Sequence, residues 1–314
     1  MKKILVTGAL GQIGTELVIY LRKLYGETNV LATDIRSAGM NKGTESGPFE
    51  ILDVTDGEKM FQIAKQNKVD AIIHLAAMLS AIAEQKPLLA WHLNMNGLIN
   101  ALETTKELGI QLFAPSSIAA FGSTTPKEKT PQNTIQRPET MYGINKVAGG
   151  ELLCDYYHAK YGVDTRGVRF PGIISFMTPP GGGTTDYAVE IYYAAIERGR
   201  YESVIEKGTY MDMMYMPDAL HSIIQLMEAN PEKLNHRNAY NITAMSHDPE
   251  EIATEIRKHI PTFVLDYKVE PTRQVIADSW PNSIDDSTAR EEWGFCAKYN
   301  LETMTLDMLN KIGQ

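Results

Sequence analysis

The stretch Ile4-Leu5-Val6-Thr7-Gly8-Ala9-Leu10-Gly11-Gln12-Ile13-Gly14 decides the fold. A short apolar run leads without a linker into glycines at positions 8, 11 and 14, and an amphipathic pattern continues from about Gln12 to Leu24. Strand, glycine turn and helix in direct succession form a dinucleotide-binding unit. One glycine makes the tight turn, the next lets backbone approach a pyrophosphate, and the third lets helix pack on strand. The spacing is GxxGxxG rather than GxGxxG, with the same steric demand. The helix start offers unsatisfied amides and partial positive charge to phosphate. Gly8, Gly11, Gln12, Ile13 and Gly14 are therefore candidate cofactor contacts.

Downstream, apolar runs alternate with helical stretches: Val30 to Ala32, Phe49 to Leu52, a helix over Lys59 to Gln66, Ala71 to Ile73, a helix over Leu88 to Glu107, and Gln111 to Ala114. This βαβ rhythm predicts an α/β fold, a doubly wound parallel sheet of the Rossmann kind. Fully apolar strands imply helices on both faces. A loop is expected over Gly122 to Pro138, a helix over Tyr142 to Tyr161, and a strand over Thr165 to Arg169. The rhythm then breaks at Pro171-Gly172 and at Pro179-Pro180-Gly181-Gly182-Gly183. We expect a dinucleotide-binding domain over 1–171 and a smaller α/β substrate lobe over 172–314, with some of its segments returning to the first. Short strands are expected near Val204, Tyr210 to Met216, Tyr240 to Ile242 and Val264 to Tyr267.

The 314 residues are 43% apolar and 22% charged, enough for a sizeable core, which excludes disorder and a small disulfide scaffold. No apolar run reaches the length of a membrane span. A net charge of -9 argues against nucleic-acid partners bound through a basic surface. Two cysteines, Cys154 and Cys296, cannot build a four-cysteine zinc site, and the seven histidines repeat no ligand spacing, so no metal is expected. A cytoplasmic setting is the default, because the Lys-Lys start and Ile4 to Val6 are too short for a signal-peptide core.

Asp34 lies 20 residues beyond Gly14 at the end of the second strand. A carboxylate there accepts both adenosine ribose hydroxyls and repels a 2′-phosphate, which favours NAD over NADP. Ile35 and Arg36 would flank the adenosine, and Asp53-Val54 would meet the adenine. Leu75-Ala76-Ala77 are residues small enough for backbone to approach a ligand, and His74 before them reads as packed under the sheet edge.

Tyr142 and Lys146 lie four apart on a predicted helix, so both can face one ligand. A phenol titrates near 10, and moving it to about 7 takes about 4 kcal/mol of preference for the ion. A lysine and a positive nicotinamide ring could supply that. Ser116-Ser117 end the fifth strand at the carboxyl edge of the sheet, where open α/β sheets bind ligands. Ser117 is the preferred hydroxyl and Ser116 the fallback.

Taken together these words resemble the extended short-chain dehydrogenase/reductase family, and within it the short-chain-type L-threonine 3-dehydrogenases, along the whole chain. The superfamily words are Pro115 to Gly122, Tyr142 to Lys146 and Arg169 to Ile173; the subfamily word is Gly181 to Ala188, with Trp280-Pro281 and Ser283. The resemblance implies Tyr142 as general acid/base, Lys146 as its pKa-lowering partner and ribose ligand, and Ser117 as the substrate-oxygen hydroxyl. It places Asn94 near the nicotinamide half of NAD and Pro171 near the carboxamide. It implies oxidation of L-threonine at C3, and a homodimer through the helices at 88–107 and 142–161. For a zwitterionic substrate, Asp186 could pair with the ammonium, Ser80, Thr184 and Thr185 could donate to the carboxylate, and Trp280 could close the apolar side. The glycines before Thr184 suggest a lid. A sugar-nucleotide epimerase or reductase is the enzymatic alternative. A dinucleotide sensor without turnover is the other.

Overall fold

In the computed structural model, residues 1–37, 45–178 and 183–313 are described. Side-chain alternation sorts the central core into two layers. Strand β1 (Ile4–Thr7) sends Ile4 and Val6 to one face and Leu5 to the other. β2 (Val30–Asp34) divides Val30 and Ala32 from Leu31 in the same way, and β4 (Ala71–His74) divides Ala71 and Ile73 from Ile72. With β3 (Phe49–Ile51), β5 (Gln111–Phe113) and β7 (Thr165–Arg166), they form a parallel sheet in the order β3-β2-β1-β4-β5-β7. β1, β2 and β4 are buried on both faces, which is why they read as nearly unbroken apolar runs, while the edge strand β3 is mostly exposed. The order reverses direction between β1 and β4, and the crevice at such a switch point is where this fold binds ligands. The doubly wound α/β expectation holds.

Past Arg166 the chain leaves this sheet. β6 (Ser116–Ser117), β8 (Val168–Phe170) and β12 (Tyr240–Asn241) make one small sheet. β9 (Gly172–Ile174), β11 (Met211–Tyr215) and β13 (Met245–His247) make another, and β10 (Arg200–Ser203) pairs with β14 (Val264–Tyr267). The interruption expected at Pro171-Gly172 is a change of sheet instead. Pro171 has no N–H to give a ladder, so β8 ends there and β9 starts with new partners. The helix Met216–Glu228 packs on the first helix, Gln12–Tyr25, and its Ile223 and Met227 share a core with Leu17 and Leu21, while a separate core gathers Tyr187, Tyr192, Trp280 and Met304. Of the second glycine-proline run, residues 179–182 lie outside the described residues, so the expected lid there is not described.

The expected continuous helix from Tyr142 to Tyr161 is three segments: α-helix Met141–Asn145, π-helix Lys146–Leu153 and α-helix Cys154–Tyr161. Among the described residues no helix is long and apolar enough to cross a membrane.

Candidate active site

The glycine turn is dictated by contact. Gly8 has φ +68°, and a Cβ there would lie 2.7 Å from the Ala76 nitrogen, so the turn after β1 and the chain after β4 touch through backbone. A Cβ on Gly14 would fall 2.2 Å from the Gly8 carbonyl oxygen, which fixes how closely helix Gln12–Tyr25 meets the turn. That helix starts at Gly11, and no side chain caps its first amides. At the same end the Gln12 Nε2 is buried with no hydrogen-bond partner among the described residues. Uncapped amides and an orphaned buried amide suit a pyrophosphate.

These glycines form one end of a cleft of about 220 Å³. Gly8, Gly11, Gln12, Ile13, Gly14, Leu75, Ala77, Ser117, Tyr142, Lys146 and Pro171 line it, and so do Ser80, Thr184, Thr185, Asp186 and Trp280. These sixteen residues, all singled out in the sequence, share one cavity, and the fallback Ser116 borders it as well. Leu79, Ile118, Phe170 and Ile173 also line it without having been foreseen, because no local pattern marks an apolar side chain as facing a ligand.

Ala76 and Asn94 instead border a smaller adjoining cavity behind Lys146. Asn94 accepts from the Met78 N–H at 2.7 Å and donates to Asn145 Oδ1 at 3.0 Å, so it braces the loop after β4 against the Tyr142 helix. Asp34, Ile35, Arg36, Asp53 and Val54 lie outside both cavities. Asp34 accepts from the Leu10 N–H at 3.0 Å and takes a two-pronged ion pair from Arg36, at 2.9 and 3.1 Å. Burial raises the Asp34 carboxyl, but the hydrogen bonds from Arg36 and Leu10 outweigh it and hold the group below its ordinary value. Ile35 is exposed. Asp53 accepts from the Thr55 N–H at 2.9 Å, closing the turn that presents Val54, whose carbonyl accepts from Asn100 at 2.9 Å.

Tyr142 receives a hydrogen bond contact from Ser117, and Lys146 Nζ sits 5.3 Å from the centre of its ring. The Lys146 ammonium donates to the Pro115 carbonyl at 2.6 Å. Desolvation pushes the phenol up to about 12, with the Ser117 bond pulling the other way, and burial pulls Lys146 down to about 8. The expected lowering of Tyr142 by Lys146 is therefore not achieved by protein groups alone, because burial dominates and the ammonium lies over the ring. Ser116 points elsewhere, donating to Glu151 at 2.5 Å. His74 is buried against the Thr7 hydroxyl at 3.0 Å, and burial holds its ring at about 3, hence neutral.

At the far end Thr184 is buried with no partner for its hydroxyl among the described residues. Thr185 packs on Gly172, where a Cβ would lie 2.8 Å from its methyl carbon. Asp186 accepts from the Gly183 N–H at 2.7 Å, so its carboxylate also holds its own turn. Ser80 opens the helix Ser80–Gln85, and Trp280 belongs to the second core while lining the cleft. Among the described residues no group of three or more His, Cys, Asp and Glu side chains is placed to hold a metal.

Comparison with known proteins agrees with this geometry. The chain is 61% identical to an uncharacterized epimerase/dehydratase of Staphylococcus haemolyticus, covering 99% of this chain and 98% of that one. An L-threonine dehydrogenase from Clostridium difficile matches with 65% identity and a TM-score of 0.98, covering 99% of this chain and 98% of that one. A monomeric L-threonine 3-dehydrogenase from a metagenome matches with 45% identity and a TM-score of 0.95, over 99% and 98% of the two chains. Residues 4–243 match the model of the NAD dependent epimerase/dehydratase family. The chain belongs to that family, the extended branch of the short-chain dehydrogenases/reductases.

Proposed function

We propose that the protein oxidises L-threonine at C3 to 2-amino-3-oxobutanoate with NAD+. The observation that carries this reading is the meeting of Ser117, Tyr142 and Lys146 with Thr184, Asp186 and Trp280 in one cleft whose opposite end is the glycine turn. That distal end is built from hydroxyls, one carboxylate and an indole, a set that suits a small zwitterion. The likeness to L-threonine dehydrogenases supports the same substrate.

Bound NAD+ would supply the hydride acceptor. The amides at Gln12 and Ile13 would hold its diphosphate, Asp34 its adenosine ribose and Lys146 its nicotinamide ribose, with Pro171 beside the carboxamide. Ser117 orients the C3 hydroxyl, and Tyr142 takes that proton onto its phenolate oxygen. Thr184, Thr185 and Ser80 donate to the substrate carboxylate, Asp186 accepts from its ammonium, and Trp280 walls off water. Following the reduced-nicotinamide absorbance with L-threonine and NAD+ tests this. Steady growth is expected, with no signal from UDP- or GDP-sugars; the reverse pattern would transfer the protein to sugar-nucleotide chemistry.

The homodimer and a reducing cytoplasm complete the reading. Leu88 is 81% exposed and Leu152 61%, with Trp91 also exposed, and all three lie on helices 87–108 and 146–153. Cys154 and Cys296 are both unpaired. Sedimentation equilibrium should return twice the chain mass, and Leu88→Lys should halve it. A single-chain mass for the wild type would align the protein with its monomeric relative.

A further inference from the structure

The π-helical segment Lys146–Leu153 begins at the lysine of the site. In an α-helix, residues five apart point about 140° away from each other, whereas i→i+5 bonding brings them round to one side. Here the pair is Lys146 and Glu151, and they reach adjacent residues of one strand end. Lys146 donates to the Pro115 carbonyl at 2.6 Å, and Glu151 accepts from the Ser116 hydroxyl at 2.5 Å. Gly150 permits the approach, since a Cβ there would stand 3.3 Å from the Pro115 oxygen.

Glu151 is buried and fully engaged. Its Oε1 also accepts from Arg169 Nε at 3.0 Å, while Oε2 accepts from Arg169 Nη2 at 2.8 Å and from Gln136 at 2.7 Å. Arg169 stands on β8, next to Phe170 and Pro171 at the cleft wall. One carboxylate thereby ties together the strand ending in Ser117, the helix carrying Tyr142 and Lys146, and the wall at Pro171.

We propose that Glu151 is the positioning residue of this site, holding Ser117 and Lys146 in register through Ser116 and Arg169. The proposal rests on the Tyr142–Lys146 chemistry above. Lys146 contacts the Tyr142 ring and the Pro115 carbonyl, and the titratable groups that act on it through space are Cys154, Glu151 and His74. Burial draws the ammonium down to about 8, and Cys154 and Glu151 draw it back up.

The test uses the full chain with Glu151→Gln and Ser116→Ala. Reduced-cofactor affinity is titrated against pH by fluorescence, and kcat and KM for threonine are measured alongside a melting temperature. For Glu151→Gln the alkaline loss of cofactor affinity should move down by about one pH unit, and kcat should fall about 10- to 100-fold with KM little changed. Ser116→Ala keeps the charge, so its alkaline limb should stay in place while kcat falls. A folded Glu151→Gln protein with wild-type limb and kcat overturns the proposal, even if it melts earlier. If that variant does not fold, wild-type kcat in Ser116→Ala overturns it. Should the wild type leave threonine untouched, the cofactor titration still decides on Glu151, and only the substrate reading falls.

Discussion

Tyr142→Phe should leave cofactor affinity nearly unchanged while turnover drops about 10²- to 10⁴-fold. The substitution removes one oxygen and keeps the ring over which Lys146 sits at 5.3 Å, so the ammonium keeps its cation–π contact and its bond to Pro115. The missing atom is the one that receives the substrate proton. With the phenol held at about 12 by desolvation, ionising it at neutral pH takes about 7 kcal/mol, more than an isolated phenol would need. Because the phenol stands there with Lys146 already in place, the preference would have to come from a positive ring facing it once the cofactor is bound. The sign of the pH dependence follows. The base works as its anion, so wild-type turnover rises with pH. Lys146 works as its cation, so turnover falls once pH passes about 8 and the ammonium is lost. Tyr142→Phe should lose the rising limb. A pH–rate profile of both proteins checks this, and a surviving rising limb in the variant would remove Tyr142 as the base.

The parts of the site that were legible in the sequence are those written in short, local words. Gly8, Gly11 and Gly14 answer to steric demands within one turn, and the apolar runs of β1, β2 and β4 answer to a sheet buried on both sides. Tyr142 and Lys146 are one helical turn apart. What stayed hidden depends on partners distant in sequence. Asn94 braces Met78 and Asn145 rather than bordering the main cleft, a matter of loop path that spacing does not encode. Glu151 meets Ser116 and Arg169, 35 and 18 positions away. The helix pattern around Lys146 carried no sign of a π segment, although Gly149-Gly150 are its sequence trace: a Cβ on Gly149 would lie 2.9 Å from Leu98. A charged residue inside the strand Val168–Phe170 was the available hint to Arg169, since a buried guanidinium requires a carboxylate nearby. Gly150 lets the π segment approach Pro115, and from there Glu151 reaches both Ser116 and the buried Arg169 on β8.

Asp34→Ala should shift the NADP-over-NAD ratio of kcat/KM upward by about 10²- to 10⁴-fold. Two opposite consequences of one deletion produce that size. The carboxylate that would bind the adenosine ribose and repel a 2′-phosphate disappears, and Arg36, whose guanidinium it now holds at 2.9 and 3.1 Å, gains a free two-pronged donor face. Arg36 is 61% exposed and needs no burial to turn toward a phosphate. Hydrogen bonds to charged groups are worth about 1.5–3 kcal/mol each, so losing one on the NAD side and gaining one on the NADP side spans the stated range. Asp34 also accepts from the Leu10 N–H in the glycine turn at 3.0 Å, and alanine would loosen that turn for both cofactors. Asp34→Asn separates the effects: its amide oxygen keeps the Leu10 bond while the charge is gone. If charge governs the choice, Asn should shift the ratio in the same direction as Ala with less loss of total activity. A ratio unchanged in both variants, or a wild type already preferring NADP, would mean that Arg36 rather than Asp34 reads the ribose.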